Sequence, residues 1–159
     1  MVFVVSLVLP LPSFNNVRAT GLSTFYNLTG DQDVENFGYP VRFIGDVNND
    51  GREDFAIGSL GYDVGAVEDV GRVQIYSGAS GAKIREHVQP FGTTPSASAF
   101  FGSAVSGIGD ANGDSFGDYV IMDPRFSTGE GGASFNERGR VIAYSGQDGS
   151  ILWTYKGTV

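Results

Sequence analysis

The 159-residue chain contains no cysteine, which excludes disulfides, thiolate metal sites and cysteine nucleophiles. That absence is compatible with any compartment. Basic side chains are scarce, ten against eighteen acidic ones, giving a net charge of -8 and a pI near 4.4. This balance opposes binding to a phosphate backbone and suits divalent cations or basic partners. Long apolar runs are also few. The first, "MVFVVSLVLPLP", lacks the Lys or Arg of an export signal's leading region and is broken by Pro10 and Pro12. It is shorter than the roughly 20 apolar residues a membrane span needs, and reads either as a curtailed export signal or as a strand of a preceding repeat. No other segment is a membrane candidate. With 41% hydrophobic and 18% charged residues the chain is not a disordered tail. Glycine is abundant, at 24 residues. It points to many tight turns between short strands, and helix is not favoured.

The chain repeats itself. "FGYPVRFIGDVNNDGREDFAIGS" (Phe37 to Ser59) aligns without a gap with "FGSAVSGIGDANGDSFGDYVIMD" (Phe101 to Asp123). "GRVQIYSGASGAKI" (Gly71 to Ile84) aligns likewise with "GRVIAYSGQDGSIL" (Gly139 to Leu152), so the extra residues of the second unit fall in the loop between the blocks. A fainter echo, "ATGLSTF" from Ala19, resembles the end of an earlier unit. The expected division is residues 1–20, the apolar segment; 21–88, the first unit with its leading connection; and 89–159, the second unit and the start of the next.

Within each unit, apolar residues alternate or cluster in runs bounded by Gly, Asp and Asn, which is strand punctuation. The first unit predicts strands at Tyr39–Ile44, Asp54–Ser59, Arg72–Ser77 and Ala82–Val88. The second predicts them at Ser103–Ile108, Asp118–Met122, Arg140–Ser145 and Ser150–Tyr155. Four antiparallel strands per repeat make the blade of an all-β propeller, here with two near-complete units of an incomplete ring, or else a hairpin-rich sandwich. The first two strands of each unit, apolar and rich in small residues, are expected innermost.

The "FG" openings at Phe37 and Phe101, the "GD.N.D" loops and the "GRV..YSG..G" closing strands resemble FG-GAP repeats, the blades of integrin α-subunit propellers and of many bacterial surface proteins. The resemblance covers Phe37 to the C-terminus. It implies a calcium-binding β-propeller with cations in the loop between strands one and two. It also implies that partners meet the opposite face, here Leu60 to Val70, Pro124 to Arg138, and the connections about Asn27 to Asn36 and Pro90 to Ala99.

The loops themselves carry the chemistry. Calcium takes six to eight oxygen ligands at about 2.3–2.6 Å. The first loop offers Asp46, Asn48, Asp50, the backbone carbonyl of Arg52 and Asp54; the second offers Asp110, Asn112, Asp114, the carbonyl of Phe116 and Asp118. Carboxylates gathered this closely repel one another without a cation. An EF-hand would require an acidic residue at position twelve, where Ile57 and Ile121 stand, so these are strand connectors closed by their ninth-position aspartates. Without a bidentate glutamate, affinity should be modest, about 10⁻⁴ to 10⁻³ M. Gly51 stands where such loops turn most sharply, and Ser115 takes that place in the second. The alternative is that Asp and Asn merely initiate turns by bonding their own backbone; two copies in register favour the cation.

Other candidates carry less. His87, the sole histidine, falls in a predicted outer strand and is expected at the surface rather than as a catalytic base. Trp153, Tyr155, Phe25 and Tyr26 are expected in packing between blades rather than as a sugar platform. "GEGGASFNERG" from Gly129 lacks the Lys and Ser/Thr of a P-loop, and "NLT" at Asn27 is a formal glycosylation sequon. The leading function is a non-catalytic, calcium-stabilised propeller module, extracellular or at a cell surface, in adhesion or in protein or glycan binding. It has no nucleic-acid role, and further blades or self-association would close the ring. The alternatives are an accessory or catalytic propeller of a polysaccharide-acting enzyme, and a fragment without independent function.

Overall fold

The structure, a computed structural model, describes residues 26–89, 98–126 and 138–157. The apolar segment, Phe25, the "ATGLSTF" echo, most of the glycine-rich stretch from Gly129 and most of the second inter-repeat connection lie outside the described residues. Strands β1 (Phe37–Gly45), β2 (Asp54–Ser59), β3 (Arg72–Tyr76) and β4 (Lys83–Val88) form one sheet. Strands β5 (Val105–Gly109), β6 (Asp118–Asp123), β7 (Arg140–Tyr144) and β8 (Ile151–Lys156) form a second, and both run antiparallel in sequence order. Described residues are strand, turn or loop without helix. The four-stranded units expected from sequence are therefore present, and the two sheets do not close on themselves. Strand ends differ by a residue or two. The largest extension is at β1, which begins at Phe37 because a bulge lets Phe37 and Tyr39 both face Ser59.

The pleat decides which side chains meet. On β2 and β3, Ala56, Val73 and Ile75 project to one face, while Phe55, Ile57 and Tyr76 project to the other. The first set joins Ile44 and Val47 in a core with Phe101, Val105, Tyr119, Ile121, Ile142 and Tyr144 of the second sheet. The main core thus lies between the blades. The second set, with Phe37, packs beneath Tyr26, Leu28 and Val41, and the Tyr26, Phe55 and Tyr76 rings stack. Tyr26, expected in packing between blades, packs among the described residues against its own blade, and from a coil segment and not from a strand. Each fully buried Ile or Val side chain contributes about 1.5–3 kcal/mol, and the inter-blade core is the larger of the two buried clusters.

The first strands are where the blades converge: β1 lies against β5. A Cβ on Gly107 would meet the Ile44 carbonyl oxygen at 2.6 Å and its Cα at 2.9 Å, both backbone atoms that cannot step aside. The expected small-residue interior therefore has a specific cause at β5. The second strands sit one place further out, buried in the middle of each sheet.

His87 departs from expectation. It is half-buried between the blades, its Nε2 2.7 Å from the Tyr119 hydroxyl and its ring 4.1 Å from that of Tyr144. Its outer strand lies over the next blade, a placement that strand order alone does not reveal. Arg85, two residues earlier on the same face, donates to the Gly146 and Gln147 carbonyls and to the Tyr119 hydroxyl. With Arg85 donating to that hydroxyl, its proton is free to go to a neutral imidazole. Burial first, then the Arg85 charge, pushes the His87 pKa from 6.5 down to about 4, against a smaller opposing effect of Glu86.

The corresponding face of the second blade has no sheet packed on it among the described residues. At the positions of Arg85 and His87 it carries Trp153 and Tyr155, paired across β7 and β8 in the same register. These are 44% and 77% exposed, beside the exposed Ile108 and Met122. Expected between blades, they occupy the right face without a covering neighbour among the described residues.

Two outcomes are expected. Gly107→Ala forces the Ile44 and Gly107 backbones apart and lowers stability by about 1–3 kcal/mol in urea denaturation, whereas an unchanged midpoint would contradict the close approach. Between pH 6.5 and about 4 the unfolded chain binds a proton that folded His87 refuses. Stability is thus complete above 6.5 and falls on acidification, by at most about 1.4 kcal/mol per pH unit. His87→Gln should flatten that part of the pH profile, measured by thermal unfolding.

Candidate metal loops

Each acidic loop is a strand connector folded around its own carboxylates. In the first, Asp46 accepts from the Asp50 and Gly51 amides at 3.0 and 2.8 Å. Asn48 Oδ1 also accepts from Asp50, at 2.9 Å, and Asp50 Oδ1 from the Arg52 amide at 2.9 Å. The second loop repeats this with Asp110 accepting from Gly113, Asp114 and Ser115, Asn112 from Asp114, and Asp114 from Phe116, all between 2.7 and 3.0 Å. These are Asx turns, which explains why short polar side chains at alternate positions make this conformation cheap. The bonds hold Asp110 below the usual carboxylate range, the Ser115 amide contributing most.

Ser115 adopts the sharp turn that Gly51 makes in the first loop. Its φ is +73°, against +83° at Gly51. One turn earlier the assignment reverses, with Asn49 at +57° and Gly113 at +82°. Each loop therefore places glycine at one of its two left-handed positions and a small polar residue at the other.

The ninth-position aspartates differ from the rest because they are fully buried. Asp54 accepts from the Val47 amide through Oδ2 at 2.9 Å and from the Gly78 amide through Oδ1 at 2.9 Å. Asp118 does the same with Ala111 at 2.8 Å and Gly146 at 3.0 Å. Each ties its acidic loop to the turn between the third and fourth strands of its blade. The same turn supplies a hydroxyl: Ser77 Oγ reaches Asp50 Oδ2 at 3.1 Å, and Ser145 Oγ lies 3.5 Å from Asp114 Oδ2. Ser77, Gly78, Ser145 and Gly146 were not singled out as site residues, yet the "YSG" common to both units was the available signal. The loops also touch, for the Gly117 amide donates to the Asp46 carbonyl at 2.7 Å.

All ten expected donors therefore lie on two matching turns. Among the described residues no three Asp, Glu or His side chains gather tightly enough to form a metal-holding cluster, and the carboxylates address the loop's own amides. The donor chemistry nevertheless fits a hard cation. Every contributed group is oxygen, a carboxylate oxygen bonded to one amide keeps a further lone pair, and no ion pair among the described residues reaches a loop aspartate. Burial raises the Asp54 pKa above its ordinary value against the pull of its two amide bonds, and the Asp50 and Asp46 charges add to the rise.

Among proteins of known name, integrin alpha-5 of Xenopus laevis is 33% identical over 85% of this chain, and integrin alpha-8 of Mus musculus is 32% identical over 82%. Integrin alpha-PS2 of Drosophila melanogaster is 34% identical over 68%. The chain belongs to the integrin α-type FG-GAP repeats. It spans 12% of the length of the first two relatives and 8% of the third. No family model matches it. In FG-GAP terms, the acidic loop and the "YSG" turn are two halves of one hydrogen-bonded unit, and the "GRV" arginine opens the strand leading to it.

Asp54→Ala, measured in EDTA so that no metal contributes, strands the Val47 and Gly78 amides and should cost about 1–3 kcal/mol for each buried donor left unpaired. Asp46→Ala, on an exposed turn, should cost well under half as much. Equal losses in the two variants would show that burial of the ninth-position carboxylate is not what matters.

Proposed function

We propose that the chain forms calcium-clipped blades of an integrin-like propeller that works in adhesion, at the cell surface or in the extracellular space, without catalysis. The single observation that carries this is the pair of loops sharing the same Asx-turn bonds at matching positions, in a chain with integrin α relatives. Calcium would be held in one loop by Asp46, Asn48, Asp50, the Arg52 carbonyl and Asp54, and in the other by Asp110, Asn112, Asp114, the Phe116 carbonyl and Asp118. Its contribution when bound is to neutralise carboxylates that otherwise repel one another. The residues do the rest: the Asx turns hold the proposed donors on one loop, and Asp54 and Asp118 tie that loop to the blade. The role is that of a structural clip.

The packing of His87 supports the non-catalytic reading, because the chain's sole imidazole is engaged by Tyr119 and Tyr144. The face carrying Ile108, Met122, Trp153 and Tyr155 takes the next blade, since its counterpart in the first blade is the face that packs on the second. Partners, a protein or glycan, meet the loops opposite the acidic turns, Leu60 to Val70 and Pro124 to Arg138, with the connections beside them.

Calcium at a hundredfold excess over its Kd should stabilise the fold by about 2.7 kcal/mol per site, read as a rise in Tm that EDTA reverses. Asp46→Ala combined with Asp110→Ala should remove the response. A wild-type Tm indifferent to calcium would sink the proposal.

A further inference from the structure

Arg72, the first residue of β3, is buried along its whole side chain, at 2% exposure. Its guanidinium is shared by three parts of the chain. Nη2 pairs with Glu35, itself 2% exposed, at 2.8 Å, and Nη1 with Asp31 at 2.8 Å and Glu86 at 3.3 Å. The Tyr62 ring covers it, 4.0 Å from the guanidinium carbon. Asp31 and Glu35 lie in the segment leading into the blade, Glu86 lies on β4, and Tyr62 lies in the β2–β3 loop. Around this centre the same two segments are stitched again: the Gly61 amide donates to the Glu35 carbonyl at 3.0 Å, and Gln32 exchanges two bonds with the Asp63 backbone at 2.9 and 3.1 Å. The loop also bonds within itself, through the Val64 and Val67 bridge, the Gly71 amide on the Tyr62 carbonyl at 3.0 Å and the Asp69 amide on Asp63 Oδ1 at 2.8 Å, and its Glu68, Asp69 and Val70 carbonyls accept from the Ser98, Phe100 and Phe101 amides.

The second blade builds the same centre from the other side. Arg140 stands at the position of Arg72, and Phe126, the counterpart of Tyr62, covers it at 4.0 Å. The acid is Asp123, at the end of β6, with Arg140 Nε donating to it at 3.0 Å and Nη2 2.9 Å away in the ion pair without a hydrogen bond of its own. In the repeat alignment Asp123 corresponds to Ser59, and Glu35 corresponds to Ala99. Each blade thus has one buried acid at one of two alternative positions, with Ser or Ala at the vacated one. Asp123 also receives Gln89, which follows β4 of the first blade.

We infer that Arg72 and Arg140 are positioning residues, Arg72 holding the β2–β3 loop and Arg140 holding Phe126 and Gly139 at the described ends of the β6–β7 connection, each through an aromatic lid and an interchangeable buried acid. Its use rests on the reading that these loops meet a partner, but its geometry does not. A guanidinium alone can present a planar face to the ring and a fork to two carboxylates at once, which an ammonium cannot.

Hydrogen exchange of the intact chain tests this without any partner, so failure here leaves the adhesion reading standing, and the reverse holds too. In Arg72→Lys the Gly61 and Gly71 amides should exchange about tenfold faster or more, while the β3 amides of Val73 and Ile75 keep their rates. Tyr62→Leu, which leaves the ion pairs in place and carries the test if the lysine variant does not fold, should accelerate Gly71 by a smaller factor. In the second blade, Asp123→Ser should loosen the Gly139 amide, which donates to the Phe126 carbonyl, and adding Ala99→Glu should restore it. Loop amides at wild-type rates in both first-blade variants, or loop and strand amides rising by the same factor, would overturn the inference. A transplanted glutamate that restores nothing would overturn the interchange of acids.

Discussion

The structure depends on a buried carboxylate that holds two turns together. Asp54 and Asp118 each lie at the start of a second strand, fully out of water, and each spends one oxygen on the acidic loop and the other on the turn between the third and fourth strands. An ionised group so buried is costly unless its acceptor capacity is met. The amides that meet it come from opposite edges of the blade. The first and fourth strands, which share no hydrogen bonds, are thereby given a fixed relation at one end of the sheet.

Blade stacking follows from that relation. With the strand ends fixed, the pleat aligns Ala56, Val73 and Ile75 on one face and the Tyr119 and Tyr144 rings, which stack on each other, on the facing one. Gly107 then admits the closest backbone approach. Arg85 and His87 place polar atoms against a tyrosine hydroxyl and turn carbonyls at the outer margin, where the apolar core ends. The second blade carries Trp153 and Tyr155 there, so its outward face differs in chemistry from that of the first while keeping the same register.

Most of the fold was legible because the sequence states it twice. Matching blocks fixed the eight strands to within a residue or two, since Gly, Asp and Asn mark each turn and the runs between them are apolar. The same duplication located the acidic loops and the Asp and Asn side chains that shape their turns. What periodicity could not supply was the partner of each side chain across the fold. His87 reads as a surface residue in a half-polar strand, and only the placement of the next sheet covers it. Ser77 and Gly78 read as a turn, and their service to Asp50 and Asp54 appears once strands are paired. Arg72 opens a strand run like any basic residue at a boundary, while the acids that neutralise it stand 41, 37 and 14 residues away. Separations of that kind leave no local trace.

The bond from the Gly117 amide to the Asp46 carbonyl sets the two acidic loops side by side through backbone atoms. Flexible side chains can swing away from a like charge, but a peptide group held in this way cannot. The nearness of the two acidic loops is therefore set by the frame of the molecule and not by side-chain choice. At physiological ionic strength the screening length is about 8 Å and at 0.01 M it is about 30 Å, so salt sets how far the charge of one loop extends towards a neighbour that the backbone keeps in place.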